Sequence, residues 1–123
     1  MLSLDAFKEA RSVLQGVLRP TPLIHSPYLS RNCGNNIYVK PENMQVTGAY
    51  KIRGAYYKIS TLSQEEKDRG LVTASAGNHA QGVAYAAQAA GVSATIVMPT
   101  TTPLVKVNNT KDYGARVILH GET

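Results

Sequence analysis

The feature that most constrains the fold is an alternation of strand-like and helix-like segments from Leu71 onward. Leu71–Ala74 reads as a strand. Residues 78–90 form an alanine-rich helical stretch with Val83, Ala86, Ala87 and Ala90 on one face, closed by Gly91. Ala94–Met98 is an apolar run of strand length, of the kind buried on both faces, and Pro99 stops it. Residues 103–113 read as a helix, with Pro103 suited to its first turn and Thr102 placed to cap it. Residues 117–120 are a further strand. Strands separated by whole helices pair in parallel, with the helices as crossovers. The expected class is therefore α/β, a parallel sheet with crossover helices. Ligands of such sheets bind at the loops that leave the carboxyl ends of the strands.

Upstream the pattern is looser. Leu4, Phe7, Ala10, Leu14 and Val17 recur at helical spacing, which predicts a helix over residues 4–18. Arg19-Pro20-Thr21-Pro22 ends it, because proline lacks the amide and biases its predecessor to extended geometry. Leu23 and Ile24 suit a short extended piece, and residues 36–40 a short strand entered through a Gly34-Asn35 turn. Cys33, between Asn32 and Gly34, is expected in a loop. Residues 50–62 read as a helix. Ser63 and Glu66 make a capping box for a short helix that Gly70 ends.

Bulk properties narrow the function classes. Hydrophobic residues make up 43% and charged residues 17% of the 123, which suits one packed domain rather than a disordered chain. No apolar run approaches the ~20 residues of a spanning helix, and the first residues lack the pattern of a secretory signal. Cys33 is the sole cysteine, so no internal disulfide can form. A cytoplasmic, reducing compartment is expected. The net charge of +5 comes from basic residues scattered over every segment, which argues for a solvated surface rather than a nucleic-acid stripe. His79 has no second ligand nearby, so no metal site is expected.

Two constellations carry chemistry. In residues 40–55 a loop leaves a strand, passes Gly48 and enters a helix at Tyr50-Lys51. A helix N-terminus carries partial positive charge and disfavours an ammonium. Such a position suits a lysine that must be neutral to attack an aldehyde. Read alone, Lys51 is more simply an ordinary surface lysine in a first turn, since surface lysines are common. In Ser75-Ala76-Gly77-Asn78-His79-Ala80-Gln81-Gly82, a strand opens into a helix whose first amides form an anion site able to hold a carboxylate. The alternative is a plain N-cap, with Ser75 or Asn78 satisfying those amides.

The full strings resemble the lysine signature and substrate-carboxylate loop of the β-family (fold type II) pyridoxal-phosphate enzymes, in their serine/threonine dehydratase branch. Lys40, Glu42, Gln45, Gly48, Ala49, Lys51, Arg53, Gly54 and Ala55 all match the signature, and Tyr50 stands where phenylalanine is usual. The resemblance runs through most of the chain. It implies a tryptophan-synthase-β-like fold, with residues 1–50 belonging to a larger domain and residues 51–123 forming most of a smaller one. It implies pyridoxal phosphate held by Lys51 and contacted by Tyr50 and Asn78. The substrate carboxylate would rest on Ser75, Ala76, Gly77, Asn78 and His79.

The implied reaction is β-elimination of threonine to 2-oxobutanoate and ammonia, within amino-acid metabolism. His79, where relatives that catalyse β-replacement carry threonine, points to the dehydratase branch. Ala76, where serine racemases carry an acid/base serine, points to deamination over racemization. Thr47, Gln81 and Tyr113 match positions that border a nucleotide effector in some relatives, and an intact enzyme would be a homo-oligomer. The glycine-rich loop that grips the cofactor phosphate is expected beyond residue 123, so this stretch by itself should bind the cofactor weakly and turn over little. Serine dehydration, racemization and β-replacement are the near alternatives. A non-catalytic α/β interaction module is the alternative of another class.

Overall fold

A computed structural model describes residues 2–122. Helix α1 (Leu4–Leu14) starts at Ser3, whose hydroxyl accepts from the Ala6 amide at 3.2 Å. It ends a turn sooner than its apolar spacing predicts. Gln15 turns extended and Gly16 follows at φ 85°, a conformation open to glycine that breaks the ladder before the prolines are reached. Strand β1 (Ile24–His25) pairs antiparallel with β2 (Tyr38–Val39). Between them lies a helix the sequence reading missed, α2 (Pro27–Cys33). Cys33 is its exposed last residue, not part of a loop. Ser26 at the N-cap, Pro27 in the first turn and Gly34 in the left-handed conformation delimit α2. No residue of α2 is buried, so it lacked the apolar period by which helices are found.

A 3-10 turn (Glu42–Met44) leads to α3 (Lys51–Ser60) and then to α4 (Gln64–Asp68). The Ser63–Glu66 capping box forms as expected, with its two bonds at 3.2 and 2.8 Å. Strand β3 (Leu71–Ala74), helix α5 (Asn78–Ala89), strand β4 (Ala94–Met98), helix α6 (Leu104–Asp112) and strand β5 (Arg116–Leu119) complete the chain. The three strands pair in parallel in the order β3-β4-β5. The α/β architecture with crossover helices is therefore the one expected.

Helix α5 organises the core. Its Ala80, Ala84 and Ala87 pack on Ala94, Ile96 and Met98 of β4, with Val107 and Ala115 closing the cluster. Its Val83 and Ala86 meet Ala55 and Ile59 of α3. Of the face expected to be buried, Ala90 alone is exposed; the helix is instead covered on two sides, which its small side chains permit. One cap differs from expectation. Pro103, extended at ψ 133°, occupies the N-cap of α6 with no side-chain bond, and Thr102 is buried with its Oγ1 unpartnered. Among the described residues no helix is long and apolar enough to cross a membrane.

Candidate active site

The loop from β2 into α3 is held from both ends by one carboxylate. Glu42 accepts from Arg53 Nε at 2.9 Å and from Arg53 Nη2 at 2.7 Å, a bidentate pair. Thr21 Oγ1 donates to the same carboxylate at 2.6 Å, and Lys40 Nζ donates to the Thr21 carbonyl at 2.8 Å. Hydrogen bonding to Arg53 is the largest cause that lowers the Glu42 pKa from 4.5 to about 2, against the opposing effect of burial. The same bond raises that of Arg53. Glu42 precedes Lys51 and Arg53 follows it, so the pair closes the loop around the lysine. Gln45 is buried and fastens the loop to the segment after α1: it accepts from Arg19 N at 2.8 Å and donates to Arg19 O at 3.1 Å. Gly48, at φ 70°, then turns the chain into α3.

Lys51 is the first residue of α3 and is exposed, with Nζ 5.4 Å from the centre of the Tyr50 ring. Neither its amine nor the side-chain amide of Asn78 has a hydrogen-bond partner among the described residues. The loop after β3 continues the ladder through Ser75 N to Val97 O at 3.0 Å. The Ser75 hydroxyl accepts from the Gly77 amide at 3.3 Å, so it bonds within the loop and not to the helix. Gly77 is the N-cap of α5 and no side chain caps it; Asn78 is already the first helical residue. The plain N-cap alternative is thus not the arrangement found, and the first-turn amides of α5 have no side-chain acceptor at the N-cap.

Gly82 brings the two constellations together. A methyl group there would stand 3.2 Å from Ile52 N and 3.3 Å from Lys51 C. Only a glycine on α5 lets the start of α3 lie this close. Gly82 is four residues, about 6 Å, beyond Asn78, so Lys51 begins its helix near the uncapped end of α5. Of the other residues singled out in the sequence, Ala76, His79 and Tyr50 are exposed at this end. Thr47 and Gln81 are buried. Tyr113 packs edge-on to Tyr85 at 5.4 Å and donates to Val46 O at 3.4 Å, which ties the end of α6 to the lysine loop. An open cavity of about 940 Å³ lies elsewhere, between α1 and α3, and Lys51 and Asn78 do not line it.

The donor set fits pyridoxal phosphate. A free primary amine suits its aldehyde, and Asn78, one turn before Gly82 on α5, offers a free side-chain amide. The glycine at Gly82 lets the start of α3, with Lys51, pack directly on α5. The matched family model, described as pyridoxal-phosphate dependent enzyme, covers residues 14–123. The chain belongs to this family. Its relatives include the L-threonine ammonia-lyase of Thermotoga maritima, 55% identical over 121 residues, which are 98% of this chain and 30% of that protein. The catabolic L-threonine dehydratase TdcB of Staphylococcus aureus is 54% identical over 123 residues, 99% of this chain and 36% of that one. Among solved structures, maize serine racemase superposes with a TM-score of 0.91 at 37% identity, covering 98% of this chain and 37% of that one. Threonine deaminase isoform 2 of Solanum lycopersicum gives 0.83 at 43% identity, covering 100% and 35%. The chain spans about a third of the length of these pyridoxal-phosphate enzymes.

The sequence reading found Lys51 and the Ser75 loop, but it assigned no work to Thr21, which it took as part of a helix stop. Thr21 is a partner of Glu42 and Lys40. Its contacts to Lys40, Glu42 and Arg53 are 19, 21 and 32 residues away in sequence, and no local pattern marks them.

Proposed function

We propose that this chain carries the lysine and the substrate-carboxylate loop of a threonine ammonia-lyase, converting L-threonine to 2-oxobutanoate and ammonia. The observation that carries the reading is the close approach at Gly82, with a free amine on one helix start and uncapped amides on the other. The L-threonine names of the relatives at 54–55% identity support the substrate class.

When bound, pyridoxal phosphate supplies an electron sink for the charge left on the substrate Cα. The residues of this chain do the rest. The Ser75–Gly77 loop and the amide of Asn78 hold the carboxylate and so fix which Cα bond faces Lys51. The Lys51 amine takes the α-proton as general base, the β-hydroxyl departs as water, and hydrolysis of the C–N bond gives the oxo acid and ammonia. Asn78 offers its side-chain amide to the cofactor ring oxygen, and Tyr50 packs at the ring edge. Ala76 has no proton to deliver to the opposite face, which favours elimination over racemization. The high TM-score to maize serine racemase keeps serine as the substrate of the second reading.

In the same reading, residues 1–50 belong to a larger domain and residues 51–123 to a smaller one, in a cytoplasmic homo-oligomer. Thr47, Gln81 and Tyr113 border a nucleotide-effector site. The deciding experiment replaces the matching segment of the Staphylococcus aureus dehydratase with this chain. The chimera should release 2-oxobutanoate from threonine in preference to pyruvate from serine, and Lys51→Ala should abolish both. A chimera that folds, binds cofactor and processes neither amino acid overturns the proposal.

A further inference from the structure

Lys106 lies in the first turn of α6, half-buried, and forms no ion pair among the described residues. Its ammonium approaches the loop after β3: a methyl group on Gly77 would stand 3.5 Å from Lys106 Nζ. The location is electrostatically unfavourable for a cation in three ways. The first turn of α6 has no side-chain cap, so its amides leave partial positive charge beside Lys106. The uncapped first turn of α5 adds a second positive end. No carboxylate of the described residues lies within ion-pair distance to offset either. The Lys106 ammonium and the uncapped start of α5 thus meet at Gly77 with no counter-charge, and partial burial removes part of the water that would otherwise screen them.

We propose that Lys106 is a further substrate-positioning residue, whose ammonium bonds the α-carboxylate resting on the Ser75–Gly77 loop. The inference rests on the carboxylate-binding role proposed for that loop, and it adds a residue from a different helix. With the loop amides on one side and Lys106 on the other, the carboxylate is held at two points. A carboxylate held at two points cannot swivel, so the substrate Cα is anchored beside Lys51. The side chain at Cα plays no part in this grip, so Lys106 contributes equally for threonine, serine and any other α-amino acid.

The test uses the 123-residue chain labelled with nitrogen-15 and titrated with propionate, with inorganic phosphate run alongside at equal ionic strength. The amides of Gly77, Asn78 and His79 report on the loop. Propionate should shift them in the parent chain. Lys106→Gln should weaken that response about fivefold to tenfold, as expected for loss of one charge-assisted hydrogen bond, while Lys106→Arg retains most of it. Unchanged dispersion in the same spectra shows that each variant is folded. If Lys106→Gln responds like the parent, Lys106 has no such role and the loop's proposed function stands. Absence of any propionate shift in the parent overturns both readings. Shifts that depend on Lys106 with phosphate but not with propionate assign the ammonium to a phosphate and overturn the inference.

Discussion

Replacing Glu42 with glutamine removes the charge that ties the lysine loop to α3 while keeping its shape. A fall of the carboxyl pKa from 4.5 to about 2 corresponds to about 3 kcal/mol, at ~1.4 kcal/mol per pH unit. Arg53 is 35% exposed, so solvent screening reduces the realised value to about 1.5–2 kcal/mol. The sign follows from linkage. The folded carboxyl binds its proton less readily than the unfolded one, so the stabilisation is complete above the unfolded value near 4.5 and is lost as pH falls toward about 2. Urea denaturation at pH 7 should show Glu42→Gln less stable by that amount, and the gap should narrow as pH falls below about 4.5 and close toward about 2. The amides of Gly48 and Lys51 should exchange faster in the variant. An equal stability at pH 7, or a gap that stays constant down to pH 3, refutes the argument that this carboxylate braces the loop.

Two further substitutions probe the packing. Gly82→Ala puts a methyl group 3.2 Å from Ile52 N, so despite the better helix propensity of alanine it should cost about 1–3 kcal/mol in urea denaturation; a neutral or stabilised variant contradicts the close approach of α3. Thr102→Val removes a buried hydroxyl that has no partner and should raise stability by up to about 1 kcal/mol, whereas a loss of that size would mean that the hydroxyl is satisfied.

What the sequence disclosed follows the physics of each element. The β3-to-β5 run was legible because strand and helix periods alternate cleanly and the buried strand Ala94–Met98 is apolar but for Thr95. The Ser63 box was legible because capping is local in sequence. Helix α2 was not, since it buries nothing, although Ser26-Pro27 and Gly34 bracket it. The early end of α1 lay in Gly16, where the eye goes instead to the prolines that follow. At the site, Lys51 and the Ser75 loop were marked by their strings, and Gly82 was read only as the last letter of one. Its purpose is a contact with α3, across a separation of 30 residues, which only the fold makes visible. Lys106 was counted among scattered surface charges, and its approach to Gly77 likewise needs the third dimension.

The central claim is that Lys51, placed by Gly82 at the open end of α5, is the amine that takes pyridoxal phosphate. Brief exposure of the chain to substoichiometric pyridoxal phosphate, borohydride reduction and peptide mapping by mass spectrometry test it most directly. The account predicts that the reduced adduct forms on Lys51 in clear preference to the other lysines, and that the preference falls in Gly82→Ala. Labelling spread evenly over the lysines, or concentrated on any other one, would contradict it.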